Sequence, residues 1–277
     1  MEELRLRKHV EALASSPRVP GTPAHARAAD YIEQELKGAG LPCRIVVEAD
    51  GSRNVIAEAG NPRMPLFVVG AHYDSVPGSP GADDNASGVA ALIEIARAYK
   101  PYKKPAHMTS EQGAHHVQFV AYDREEDGLL GSAAHCKRLG GADVIGMLSL
   151  EMLGYKAERQ TLVEGVDTKR AEGDFLALVS NSKSLRLLKL FEGLVSDLPV
   201  EAVTFRAGSE AALLSGLSDH GSFWAKGHRA LLVTDTAFLR NPHYHKPTDT
   251  PSTLDYEFLC RSAELVSKAI SRVSRIG

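Results

Sequence analysis

Cysteine is scarce and scattered. The three present, Cys43, Cys136 and Cys260, show no CxxC spacing and cannot all pair within one chain, so neither a disulfide scaffold nor a thiolate zinc site is indicated. They read as small core residues. No apolar run approaches the roughly 18 residues that a membrane-spanning helix needs. The opening stretch "MEELRLRKHVEALASS" mixes charge throughout, which shows no signal peptide. Cytoplasmic placement is therefore the expectation, with a secreted form whose leader has been removed as the alternative. A basic stripe is also lacking. The formal net charge is -3 and no Lys/Arg run stands out, which gives a nucleic-acid or anionic-membrane partner no electrostatic support. Internal repeats and low-complexity tracts are absent, which excludes repeat architectures.

What is present is enough material for a large core. With 277 residues, 43% hydrophobic and 24% charged, the chain fits one α/β domain over residues 1–277 with no separate lid or apical domain, in preference to two small ones. Helix signals open it: in "TPAHARAADYIEQELKGAGL" Thr22 is a plausible N-cap, Pro23 takes the first helical position, and Ala28, Ile32 and Leu36 recur at i, i+4, i+8. From about residue 40 strand-like and helix-like segments alternate, the pattern of a sheet covered by helices. "CRIVV" and "NVIAEAG" read as a hairpin adding antiparallel strands, "PLFVVGAHYD", "VQFVAYD", "VIGMLSLEM" and "ALLVTDT" as buried strands, and "ASGVAALIEIARAYK" and "LRLLKLFEGLV" as helices. Leu259, Ala263, Val266, Ile270 and Val273 form the apolar stripe of a last helix. Residues 101–116 and 156–174 lack sustained periodicity and read as surface loops.

The chemistry gathers where strands end. Glu125 and Glu126 stand side by side between the strand "VQFVAYD" and the helix-like "DGLLGSAAHCKRL". Two adjacent carboxylates there repel unless a metal, a cation or a proton sits beside them, although an isolated pair reads equally as an acidic helix start favoured by the helix dipole. His72 and Asp74 follow the strand "LFVVGA" in a His-x-Asp spacing that lets the carboxylate orient the imidazole. Asp83, Asp84 and Asn85 occupy a glycine-rich loop just before a helix, where an N-cap cluster is the plain alternative. Glu151 ends another apolar strand, and an acid there is costly to bury unless it is paired or coordinating. His243 and His245 lie in the Pro-rich "NPHYHKPTDTPSTLD". None of these signals is specific alone. Together His72, Asp84, Glu126, Glu151 and His245 all fall at trailing strand ends, the edge at which α/β sheets build their sites. Two imidazoles with three carboxylates, and no cysteine, suit two borderline divalent ions in an open catalytic site. A two-metal hydrolase is the physical expectation.

The ordered set "GAHYDS", "GADDNASG", "REEDGLLGS", "SLEMLGY", "SDHGSFWAKG" and "NPHYHKPTDTPSTLD" resembles the co-catalytic zinc aminopeptidase family that includes bacterial leucyl aminopeptidases, with glutamate carboxypeptidases and glutaminyl cyclases as relatives. The resemblance spans roughly residues 8 to 270. It implies a single-domain α/β fold, the zinc-dependent exopeptidase fold, with a mixed, mostly parallel central sheet sandwiched between helices. It further implies two Zn2+ ions, with Co2+ or Mn2+ as possible substitutes, and a peptide substrate with a free N-terminus. Motif by motif, Asp84 resembles the bridging carboxylate, Glu126 and His245 the completion of one metal site, and His72 with Glu151 the other. Glu125 resembles the general base, Asp74 the carboxylate behind His72, and Tyr244 the residue whose hydroxyl stabilises the oxyanion. The Asp84-Asn85 peptide is one the family often holds cis. Two departures stand out: Glu151 where many members carry Asp, and Asp123-Arg124 in place of small residues before the glutamates.

The implied activity is hydrolysis of N-terminal residues by a metal-activated water with Glu125 as base. Glutaminyl cyclisation is disfavoured because both histidines, the glutamate pair and Glu151 are all retained. Glutamate-carboxypeptidase-like cleavage would need arginines aimed at the substrate carboxylate, for which Arg124, Arg159, Arg206 and Arg240 are available. A non-catalytic recognition module would be expected to have lost ligands. His220, in "SDHGSFW", reads either as lying with Asp219 near the site or, equally, as part of a packed helix N-capped by Ser218 or Asp219, and is left out of the ligand set. His107, His115, His116 and His135 read as surface or structural. Phe223, Trp224 and Phe238 read as core or pocket residues.

Overall fold

The computed structural model describes residues 1–100, 115–164, 166–167, 170–205 and 216–275. Its framework is a mixed sheet of nine strands. These are β1 (Cys43–Val47), β2 (Arg53–Gly60), β3 (Leu66–His72), β4 (His116–Tyr122), β5 (Val144–Glu151), β6 (Val166–Asp167), β7 (Leu176–Val179), β8 (Val200–Phe205) and β9 (Ala230–Thr234), in the order β1-β2-β4-β3-β5-β9-β7-β8-β6. The central run β4-β3-β5-β9 is parallel throughout. The expected hairpin pairs β1 with β2, and β2 lies antiparallel on β4. At the other end β7 runs antiparallel to β9 and parallel to β8.

Helices cover both faces because the central strands are apolar on both. Along β3, Phe67, Val69 and Ala71 join the larger core cluster while Leu66 and Val68 join a second one, the period-two division that a pleated strand imposes. The larger cluster takes in α1 (Glu3–Leu13), α2 (Pro23–Gly38), α3 (Gly88–Ala98) and α7 (Tyr256–Ile270). On the opposite face α4 (Leu130–Leu139) and α6 (His220–Ala225) contribute Cys136 and Phe223 against Ile56, Val68, Val120, Tyr122 and Met147. The helix α2 begins as its cap predicts, the Thr22 hydroxyl accepting the His25 N–H, and Ala28, Ile32 and Leu36 are buried. The expected stripe of α7 is fully buried, with Val273 just past its end. Cys136 is buried and Cys43 and Cys260 half-buried, all as free thiols. No helix among the described residues is long and apolar enough to cross a membrane.

Two expectations need correction. The helix expected over 185–195 exists only as α5 (Leu185–Leu188), followed by turns in which Gly193 takes φ 62°. Leu187, Leu190 and Phe191 still reach the core, so the apolar spacing reports burial and not continuous helix. The strands β7 and β8 that flank it carry no period-two signature and were not expected. Of the two loops, residues 101–114 lie outside the described residues. The 156–174 stretch is irregular where described, apart from β6 and a bridge between Ala157 and Gly173.

Candidate metal centre

The trailing edge of the parallel strands brings the expected residues into one cluster. His72 is the last residue of β3 and Glu151 the last of β5. Glu125 and Glu126 follow β4 after Arg124, which turns the chain with a left-handed φ of 55°. Asp84 lies in a π-type turn over Ala82–Ser87 ahead of α3, with the Asp84-Asn85 peptide cis. His245 comes from the loop after β9 and also has a positive φ, 58°.

Asp84 is the hinge of the arrangement. Its Oδ1 is 3.2 Å from His72 Nε2, and its Oδ2 is 3.2 Å from His245 Nε2. Glu151 Oε1 stands 3.3 Å from His72 Nε2, and Glu126 Oε2 stands 3.3 Å from His245 Nε2. Glu125 is set back, with Oε2 4.0 Å from His72 Nε2. Two groups, His72-Asp84-Glu126 and His72-Glu125-Glu151, each place their ligand atoms within 4.8 Å of one another. Asp74 is fully buried. Its Oδ1 lies 3.4 Å from His72 Nδ1, and its two oxygens accept the backbone N–H groups of Glu125 and Glu126, each at 3.1 Å. It therefore orients a histidine and anchors the glutamate turn together.

A buried polar frame holds the Asp84 loop. Asp249 accepts the N–H groups of Asp83 at 2.9 Å and Asp84 at 3.1 Å. Asp83 accepts from Gly154 N and from the Asn241 side chain. Asn85 donates to the Leu150 carbonyl and accepts from Met152 N, linking the loop to the end of β5. Gly81, at φ 61°, precedes the loop where an added Cβ would collide with the Asp84 carbonyl. Arg18, almost fully buried, donates to the carbonyls of Leu13, Tyr73, Pro80 and Gly81.

Sequence reasoning missed Arg18, Asp249 and the structural part of Asp83, because their partners are remote in the chain. Ser218 corrects another reading: its hydroxyl donates to Glu151 Oε2 at 2.7 Å and caps nothing, and Asp219 makes no side-chain cap bond on α6. Tyr244 lines the same cavity as the glutamates and stacks on His245 with ring centroids 3.8 Å apart. His243 bonds to Thr248 outside the cluster. His115, His116 and His135 are buried, whereas His107 and Arg206 lie outside the described residues.

The electrostatics show what the cluster lacks. Burial, opposed by His72 and reinforced by Glu151, Asp219 and Glu126, pushes the Glu125 carboxyl well above its usual range. Burial likewise raises Glu126. Hydrogen bonds to Asp84 and Glu126 push His245 up to about 10. At Asp84 burial is overcome by the bonds to His245 and His72, and its carboxyl falls below the usual range. The carboxylates thus outnumber the cations facing them, and Glu126 Oε1 is buried with no protein partner among the described residues. Divalent cations fit such a donor set of imidazole and carboxylate.

Beside the cluster opens an apolar cavity of about 150 Å³. Its sheet side is formed by alternate residues, Phe175, Ala177 and Val179 with Leu232 and Thr234 and with Val203 and Phe205. Phe238 lines it, whereas Phe223 is core and Trp224 packs against the core clusters, its indole N–H donating to the Ala230 carbonyl.

Known proteins resemble the chain in sequence and in fold. Residues 54–270 match the family model described as Peptidase family M28. In an alignment 268 positions long the chain is 30% identical to the uncharacterized protein YfbL of Escherichia coli K12, and the match takes in 88% of this chain and 78% of that protein. It is 27% identical over 233 residues to leucine aminopeptidase 1 of Arthroderma gypseum, a match that takes in 80% of this chain and 58% of the fungal protein. The chain therefore spans little more than half the length of that relative. Among solved structures, the zinc aminopeptidase BSAP of Bacillus subtilis superposes with a TM-score of 0.75 at 16% identity, covering 98% of this chain and 95% of that one.

Proposed function

The chain belongs to peptidase family M28, and from that premise we propose that it is a two-metal aminopeptidase that removes N-terminal residues from peptides. The observation that carries the reading is Asp84, whose two oxygens face His72 and His245 at equal distance while Glu151 and Glu126 close the two sides. His72 and Glu151 would hold one ion, His245 and Glu126 the other, and Asp84 both. Two divalent ions, zinc by the likeness to a zinc aminopeptidase and cobalt or manganese as substitutes, would neutralise these carboxylates, polarise the scissile carbonyl and acidify a water.

The protein's own residues supply the rest. Glu125 is set back from the histidines, so its carboxylate is free to take a proton from the attacking water and return it to the departing amine. Asp74 fixes the His72 ring and the amides of both glutamates. Tyr244, on the cavity wall, would donate its hydroxyl hydrogen to the developing oxyanion. The substrate's free ammonium group would meet Glu125, Glu126 and Glu151 at the cavity mouth, and its first side chain would enter the apolar part.

Among the described residues that line the cavity there is no cation for an acidic substrate. Arg240 is buried, and its guanidinium donates to the Tyr155 and Phe175 carbonyls and to Gln160; Arg124 is about one-third exposed, with Asp127 4.0 Å away, and Arg159 is exposed.

The test is Glu125→Gln, assayed for zinc content and for turnover of amino-acid amides beside an N-acylated dipeptide. Turnover should fall by about 100- to 10,000-fold with zinc retained. A variant with near-wild-type rate and full zinc would sink the assignment of the base, and wild-type protein that hydrolyses the N-acylated dipeptide alone would sink the aminopeptidase reading.

A further inference from the structure

The glutamate turn and the histidine segment are tied together by a residue far away in the chain. His25, in the first turn of α2, is buried. Its ring stacks on Tyr73 with centroids 4.8 Å apart and planes 16° from parallel, and Tyr73 lies between His72 and Asp74. On its other edge, His25 Nε2 is 2.7 Å from Asp123 Oδ1. A carboxylate only accepts, so Nε2 carries the hydrogen. Asp123 lies two residues before Glu125 and is itself fixed from every side. Its Oδ2 accepts the Arg53 N–H at 2.6 Å, its N–H donates to Asn54 Oδ1 at 3.1 Å, and its carbonyl accepts the Gly131 N–H at 3.0 Å. The Tyr73 hydroxyl returns to the Arg53 carbonyl at 3.0 Å.

These contacts close a circuit. From His25 it runs through Tyr73 to Asp74, from the Asp74 carboxylate to the amides of Glu125 and Glu126, back along the chain through Arg124 to Asp123, and so to His25. Asp74 alone ties the glutamate amides to the histidine segment; a turn pinned at one end can still rotate about that anchor. At the other end the His25-Asp123 bond joins those from Arg53, Asn54 and Gly131 in holding Asp123, and through Tyr73 it refers that end to the histidine segment, with the left-handed Arg124 between them.

We propose that His25 is a positioning residue for the reaction, acting through Asp123 to fix the Glu125 carboxylate relative to His72. The proposal rests on the reading of Glu125 as the base. The two groups stand 4.0 Å apart, and a reacting group displaced by about 1 Å loses on the order of 100-fold in rate. Neither His25 nor Asp123 touches the ligand atoms, so the clamp acts on geometry and not on metal retention.

The test compares His25→Phe, which keeps an aromatic ring against Tyr73 and removes the hydrogen bond, with His25→Gln, which restores a donor. Zinc-loaded protein is assayed on leucine amide, with zinc content measured alongside and hydrogen exchange followed at the Glu125 and Glu126 amides. In His25→Phe, kcat should fall about 10- to 100-fold with KM and zinc content little changed, and the two amides should exchange faster. His25→Gln should recover much of both. If Phe at this position leaves kcat and the two exchange rates unchanged, the proposal is overturned. Loss of zinc in step with activity overturns it as well, because His25 would then serve retention of the ions. A wild-type protein inactive on every amide would remove the aminopeptidase reading, and the exchange rates would still decide whether His25 orders the turn.

Discussion

Lowering the pH should destabilise this fold through one buried ring outside the metal cluster. His135, on α4, is fully buried. Its Nδ1 lies 2.9 Å from the Tyr122 hydroxyl and its Nε2 3.1 Å from Gln118 Oε1. The neutral tautomer with hydrogen on Nε2 satisfies both partners. Burial, with Arg138 adding repulsion, pushes its pKa down to about 3, against roughly 6.5 in an unfolded chain. The depressed value fixes the sign. Above pH 6.5 neither state binds this proton, and as the pH falls the unfolded state takes it up while the folded state does not. Stability is therefore lost between about pH 6.5 and about pH 3, by about 5 kcal/mol over the whole window and about 2 kcal/mol by pH 5. The assay is urea unfolding of metal-free wild type and His135→Gln at about pH 7.5 and about pH 5. Gln cannot titrate but can still donate and accept, so the variant starts lower by about 1 kcal/mol for imperfect bonding. It should then lose about 2 kcal/mol less than wild type on acidification. Parallel losses in the two proteins would refute the reasoning, because other groups would then carry the acid sensitivity.

Two further perturbations follow from the site and its frame. Ala177 faces the apolar cavity from β7 and pairs in register with Thr234. Burying a leucine-sized side chain there contributes about 1.5–3 kcal/mol, so leucine amide should exceed alanine amide in kcat/KM by roughly 10- to 150-fold. Ala177→Phe should collapse that ratio while alanine amide is still cleaved, and a ratio that does not move would place the first side chain elsewhere. Arg18→Met removes the donors to the carbonyls of Leu13, Tyr73, Pro80 and Gly81. Each abandoned carbonyl costs about 1–3 kcal/mol, partly offset by no longer burying a charge, and a net loss of at least about 3 kcal/mol in urea unfolding is expected.

What could be read from the residues and what could not divide along a physical line. His72, Glu126 and Glu151 were legible only as a set with Asp84 and His245, because none is specific alone but all fall at trailing strand ends, the edge at which α/β sheets build their sites. The helices α2 and α7 were legible through caps and stripes that act within a few residues. The strands β7 and β8 were not. The four residues of β7 are all buried, so no alternation marks them, and the apolar spacing of the following segment imitates a helix that ends after Leu188. The frame beneath the site was least legible of all. Asp83 and Asp249 are 166 residues apart, and His25 and Asp123 are 98 apart. No local pattern records such a bond.

The adjacent glutamates show why that hidden frame matters. Neighbouring residues of one composition, they end beside different histidines, Glu126 at 3.3 Å from His245 and Glu125 at 4.0 Å from His72. Nothing in the dipeptide distinguishes them. The difference is imposed by a left-handed turn at Arg124, by Asp74 holding both amides, and by Asp123 held in turn by His25 and the Arg53 amide. The presence of these carboxylates thus lies in short motifs, whereas the different placement of two identical ones lies in long-range polar bonds. On the proposed reading, disturbing the frame should blur the roles of base and ligand before it removes either carboxylate from the site.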